Sequence, residues 1–213
     1  MRRSALLDFP PRPSKMESTC SSMSLPPIDP ATTALVLIDL QNGIAGLPTS
    51  PRSGADVVRN CARLADRFRE RGGLVILVRV AFAPDRKDAL SVPTDQSFAP
   101  RNVTAGWSEI VPELGPREGD LVITKRQWGA FYGTDLELQL RRRGIRTLVL
   151  GGISTNSGVE STARAAYELG FAQVLVEDGM SAMQAEAHQA TIRFVFPRLG
   201  NVRSADDVLQ ALA

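Results

Sequence analysis

The chain has 213 residues, 43% apolar and 23% charged, with a formal net charge of +2, which fits one domain with a sizeable core and argues against two full domains. So small a charge gives no steering toward nucleic acid or a membrane surface, and no apolar run approaches the roughly 18 residues of a spanning helix. Cys20 and Cys61 make no disulfide framework, so a reducing cytoplasm is the expected compartment.

Residues 1–30 hold six of the 14 prolines and six serines without periodicity, and are expected to form a flexible N-terminal tail, with Met16 and Met23 as alternative starts. Arg2 and Arg3 precede only Ala-Leu-Leu, too short a run for the core of a signal peptide. The domain is therefore placed at residues 31–213. Within it, apolar runs at Ala34–Leu40, Leu74–Val80, Leu121–Thr124, Thr147–Gly151 and Gln173–Val176, and a sixth around Val195 or Val202, lack polar alternation, as strands buried on both faces do. Helical stretches alternate with them. Asp56–Arg71 puts Val57, Cys61, Leu64 and Phe68 on one face and ends at Gly72-Gly73. Asp135–Arg143 opens on Thr134-x-x-Glu137, which reads as a capping box, and its closing Arg141-Arg142-Arg143 reads as a solvated face. Val159–Leu169 follows Ser157-x-x-Glu160, Gln184–Phe194 is also helical, and Asp206–Leu212 follows Ser204. The expected fold is a three-layer α/β/α arrangement around a mostly parallel, Rossmann-like sheet of six strands.

Ligands of open α/β sheets bind beyond the carboxyl ends of the strands. The polar residues there are Asp39, Arg79, Lys125 and the segment Ser154–Gly158, and these four positions are expected to converge on one pocket. A lone carboxylate such as Asp39 is most simply a cap or a loop residue. Opposed to Lys125 at a neighbouring strand end, it makes a partly buried ion pair of the kind active sites use to shift pKa values. Backbone N–H groups in the first turn after Ser154 form a ready oxyanion site, and Gly158 would let a ligand approach them. Gly151, Gly152 and Gly158 alone are equally met by a tight turn, and they do not form the dinucleotide fingerprint, so no cofactor is expected.

The stretch Gly-Gly-Ile-Ser-Thr-Asn-Ser-Gly-Val-Glu-Ser-Thr-Ala (151–163) resembles the signature of the isochorismatase-like cysteine hydrolases, Gly-(Ile/Val)-x-Thr-(Asn/Asp)-x-Cys-Val-x-x-Thr-Ala. Ala34–Gln41, Ile123–Phe131, Leu140–Ala166 and Ser204–Leu212 extend the resemblance over residues 31–212. It implies a catalytic Asp39 and Lys125, a cis peptide before Ser154, and a nucleophilic cysteine where this chain has Gly158. Without that thiol, thioester chemistry cannot run there. Cys61 falls on the apolar helix face, and neither Ser157 nor Ser161 has a histidine to activate it. Nicotinamidase-like relatives carry a histidine cluster after the second strand, where this chain has Ala81-Phe82-Ala83-Pro84-Asp85. The single histidine, His188, is expected to be an exposed or capping structural residue, and no metal is expected.

True isochorismatases, by the same resemblance, also have glycine at the cysteine position and cleave a vinyl ether. That reaction needs an acid and a water but no nucleophile. Asp39 would be the proton donor and Lys125 its orienting partner, with Ser154, Arg79, Trp128 and Trp107 as candidate substrate contacts and Phe131 and Tyr132 nearby. Residues 83–109 would form a lid. The alternatives are a silent small-molecule-binding member and, third, a C–N amidohydrolase. A homo-oligomer with a small-molecule substrate, and no nucleic-acid or membrane partner, completes the expectation.

Overall fold

The computed structural model describes residues 25–96 and 103–212. The expectation of a flexible tail falls almost wholly outside these residues, as does part of the expected lid. In chain order the elements are β1 (Thr33–Ile38), α1 (Asn42–Ala45), α2 (Gly54–Glu70), β2 (Leu74–Val80), β3 (Leu121–Lys125), α3 (Leu136–Arg142), β4 (Thr147–Ile153), a π-helical turn (Thr155–Val159) running into α4 (Glu160–Glu168), β5 (Ala172–Ser181), α5 (Ala185–Ala190), β6 (Asn201–Arg203) and α6 (Ala205–Ala211). The six strands lie in the order β3-β2-β1-β4-β5-β6, and every pairing is parallel. The winding reverses between β1 and β4, where Asp39 and Ser154 leave the sheet, the position at which folds of this kind bind ligands.

Strand alternation divides the core into two layers. Leu35, Leu37, Val75, Leu77, Val149 and Val174 face α2 and α6, against Val57, Cys61, Leu64, Phe68 and Val208. Val36, Ile38, Ile76, Val78, Ile123, Leu148 and Leu150 face α3 and α4, against Leu136, Leu140, Val159, Ala163 and Ala166. Burying both faces of the sheet explains the unbroken apolar strands of the sequence.

Several local expectations are corrected. Val195 lies in a second π-helical turn, Thr191–Val195, and the sixth strand is the one at Val202. The Thr134–Glu137 capping box does not form; the N-cap is Asp135, and the Thr134 hydroxyl instead accepts from the Leu136 amide and donates to the Ala130 carbonyl. Ser157 caps nothing, because the helix already begins at Thr155. Ser204 does form a capping box with Asp207. Arg141 is not simply solvated: its guanidinium lies 4.1 Å from the Phe171 ring centroid.

Gly152 draws the two switch-point strands together. Its φ is +131°, and a Cβ there would fall 2.1 Å from the Ile38 carbonyl oxygen, directly before Asp39. Alanine at Gly152 is expected to cost about 4 kcal/mol or more of stability. At Gly144, whose positive φ opens on empty space, it should cost about 1 kcal/mol. Urea unfolding of the two variants measures the contrast.

Candidate active site

Asp39 follows β1, with its amide still donating to the Val78 carbonyl of β2 at 2.8 Å. Its φ of 55° is a left-handed conformation that costs a non-glycine residue on the order of 1 kcal/mol. The side chain turns toward the layer of α3 and α4. Lys125 ends β3 on that same layer, two residues after Ile123. The two strands are separated by β2, and the long lysine stem spans the gap. Lys125 Nζ donates to Asp39 Oδ2 at 2.7 Å and to the Trp128 carbonyl at 2.7 Å. The pair is nearly closed to solvent, with side-chain exposures of 2% for Lys125 and 8% for Asp39.

Gly158 completes the group. A Cβ built on it would stand 3.1 Å from Asp39 Oδ2 and 3.3 Å from Lys125 Nζ. Its backbone therefore lies directly against the ion pair, and any side chain would have to push between them. Three of the expected positions converge. The Ile153–Ser154 peptide is cis, as the resemblance implies. Ser154 leaves β4 beside this group, its hydroxyl donating to Asn156 Oδ1 at 2.8 Å.

Arg79 does not converge, and the pocket expectation is corrected for it. It pairs with Thr124, not Lys125, in the β2–β3 register, and successive strand residues point to opposite faces. Its Nε donates to Thr124 Oγ1 at 3.2 Å, on the face away from Lys125. Trp107 packs against the Gly43 backbone, and its carbonyl accepts from the Gly43 amide. Trp128 gives its carbonyl to Lys125, while the residue is 54% exposed. Phe131 stacks on Phe171 at 6.0 Å, and Tyr132 is 82% exposed. The expected lid is anchored near its two ends. Gln41, fully buried, accepts from the Val80 amide and donates to the Val80 and Trp107 carbonyls, and Asp88 accepts from Ala83 N and Arg126 Nε.

The electrostatics follow from burial. Asp39 Oδ1 is buried without a hydrogen-bond partner among the described residues. Loss of water pushes the Asp39 carboxyl up to about 6, against the pull of the Lys125 charge and hydrogen bond. Desolvation is the larger effect, so the carboxyl rises despite the adjacent ammonium. The Cys61 thiol is also pushed far up, chiefly by burial and then by Asp178, and its Sγ faces the Gly179 carbonyl. It supplies no thiolate.

His188 is neither exposed nor a cap. It is buried in α5, with Nδ1 2.8 Å from Thr155 Oγ1 and Nε2 without a partner among the described residues. Burial, aided by Arg52, lowers it to about 4, so it stands neutral at neutral pH and anchors the start of the turn that carries Gly158. Sequence reasoning missed this buried polar shell, since helical spacing does not say which polar residues turn inward. Among the described residues, no cluster of His, Cys, Asp and Glu side chains could hold a metal ion, and no helix is long and apolar enough to cross a membrane.

An isochorismatase domain model matches residues 33–207. The chain belongs to the isochorismatase family. It is similar to the uncharacterized isochorismatase family protein YecD of Escherichia coli O157:H7, at 51% identity over 181 residues, spanning 85% of this chain and 96% of that protein. The structure of an isochorismatase family protein from Burkholderia thailandensis superposes with a TM-score of 0.84 at 51% identity, covering 89% of this chain and 99% of the other. The ureidoacrylate amidohydrolase RutB of Variovorax paradoxus is 30% identical over 205 residues, 85% of this chain and 81% of its own.

Asp39 binds a proton more tightly folded than unfolded, so it favours the folded state below its ordinary pKa and loses that advantage as pH rises toward 6. Asn at Asp39 removes the effect. The melting temperature of Asp39→Asn, relative to wild type, is expected to rise as pH goes from 4 to 7; calorimetry at stepped pH measures it.

Proposed function

We propose that this chain is a hydrolase working without a sulfur nucleophile, cleaving a small carboxylate-bearing vinyl ether by acid catalysis from Asp39. The observation that carries the reading is the Asp39 carboxyl, raised to about 6 by burial while held on Lys125 and against the Gly158 backbone. A general acid works best with its pKa near the operating pH. With Lys125 donating to Oδ2, the acid proton rests on Oδ1, which has no hydrogen-bond partner among the described residues. With Asp39 protonated, the pair carries the positive charge of Lys125, which suits a substrate carboxylate.

The steps balance without a covalent intermediate. The Asp39 proton passes to the terminal alkene carbon, leaving an oxocarbenium ion. Water adds to the cationic carbon and gives its proton back to the Asp39 carboxylate. The resulting hemiketal expels the alcohol and leaves a ketone. Lys125 holds the carboxyl in place throughout and stabilises its ionised form. In this reading Gly158 stands where the resemblance implies the family's cysteine, and its missing side chain lets the backbone lie directly against the Asp39–Lys125 pair. Ser154 and Trp128, beside the pair, are the substrate contacts proposed; the substrate is small and no cofactor is called for.

The name of RutB supports a second reading, hydrolysis of a C–N bond. Such a reaction needs a nucleophile, and the buried Cys61 sulfur is poorly suited to it. A silent binding protein would keep the pocket and turn nothing over.

Purified protein incubated with isochorismate is expected to release pyruvate, and Asp39→Asn to lower kcat by about 10²–10⁴-fold. Binding without turnover would favour the silent reading. Iodoacetamide is expected to leave the native activity intact; inactivation by it would point to a thiol and to the amidase reading.

A further inference from the structure

Thr162 sits in α4, outside the Asp39–Lys125–Gly158 group, and is fully buried. Its hydroxyl donates to the Gly158 carbonyl at 2.7 Å, a bond that threonine often makes one turn back along a helix. The same oxygen accepts from the Ala130 amide at 3.1 Å, and this second bond joins the helix to the loop after β3. That loop carries Trp128, whose carbonyl holds Lys125 Nζ. Gly129 lies flush on the first turn of α4, where a Cβ would stand 3.7 Å from Ser161 Cβ. The contacts close a ring. From Asp39 it runs to Lys125, the Trp128 carbonyl, the Ala130 amide, Thr162 and Gly158, whose backbone faces Asp39 and Lys125 again.

We infer that Thr162 is a positioning residue: its hydroxyl locks the loop that holds Lys125 to the turn that carries Gly158, and so fixes the distance between Lys125 and Asp39. The inference rests on the reading of Asp39 as the proton-bearing group. Only a side chain that donates and accepts from one atom at this depth can serve both partners. Valine fills the same volume and serves neither. Serine serves both with one methyl fewer. Among the described residues, Lys125 is the charged group that acts on Asp39, and it lowers the carboxyl's affinity for a proton. If the loop slips, that pull weakens and Asp39 titrates higher.

The test follows the Asp39 carboxyl by carbon NMR of aspartate-labelled protein across pH, in wild type, Thr162→Val and Thr162→Ser, together with hydrogen exchange of the Ala130 amide in wild type. The Asp39 midpoint is expected to rise by about half a unit or more in Thr162→Val and to return to the wild-type value in Thr162→Ser. The Ala130 amide is expected to be protected like those of the central strands. A folded Thr162→Val protein with the wild-type midpoint would overturn the inference. So would a shifted midpoint in Thr162→Ser, or an Ala130 amide that exchanges like an open loop. Should Thr162→Val fail to fold, the serine variant and the Ala130 amide decide the matter. No substrate is used, so a failed isochorismate assay leaves this test intact, and a failed titration series leaves the assay intact.

Discussion

A carboxyl and an ammonium 2.7 Å apart, both almost closed to water, set the terms for the rest of this structure. Burying such a pair brings little net stability, because desolvation offsets the attraction, and removing one partner is costly. Much of the surrounding structure supports it. The left-handed backbone at Asp39, the close contact of Gly152 with Ile38, and the anchoring of the 155–159 turn by His188 and Thr162 all bear on the same few ångströms. A fold selected for stability alone would have little reason to carry this set of local costs. They are intelligible if the carboxyl must stay dry enough to hold a proton near neutral pH.

The sheet explains how three distant segments reach one point. Parallel strands end together, and the winding reverses between β1 and β4, where their ends come side by side. Asp39 and the cis-linked Ser154 follow these adjacent strands. Lys125 comes from the far side of β2, which only a side chain of its length could cross. Gly158 meets them because the helix after β4 begins with a π-helical turn, bringing the backbone at the fourth residue inward. Chemistry that needs an acid held beside a cation can use this arrangement directly. Among the described residues the one cysteine, Cys61, lies in the other core layer, away from this group.

Much of this was legible in the amino-acid sequence, for identifiable reasons. Unbroken apolar runs at regular intervals follow from a sheet buried on both faces, and five of the six strands lie where those runs stand. Asp39 and Lys125 stood out because charge at the end of an apolar strand needs a partner. Arg79 stood out for the same reason and was misplaced. It lies one residue short of the strand end, and the period of two sends it to the opposite face, where Thr124 receives it. The buried polar residues Thr162, His188 and Gln41 gave no comparable signal, since a threonine or histidine on a helix looks alike whether it faces solvent or a backbone carbonyl. The Thr134–Glu137 pattern matched a capping box by spacing, yet tertiary contacts gave the hydroxyl to Ala130.

The central claim is that burial, and not the neighbouring ammonium, governs the Asp39 proton. Carbon NMR titration of the wild-type carboxyl, with its resonance assigned from the Asp39→Asn spectrum, tests this most directly. The account predicts a midpoint near 6; a midpoint at or below the ordinary aspartate value of about 3.9 would contradict it.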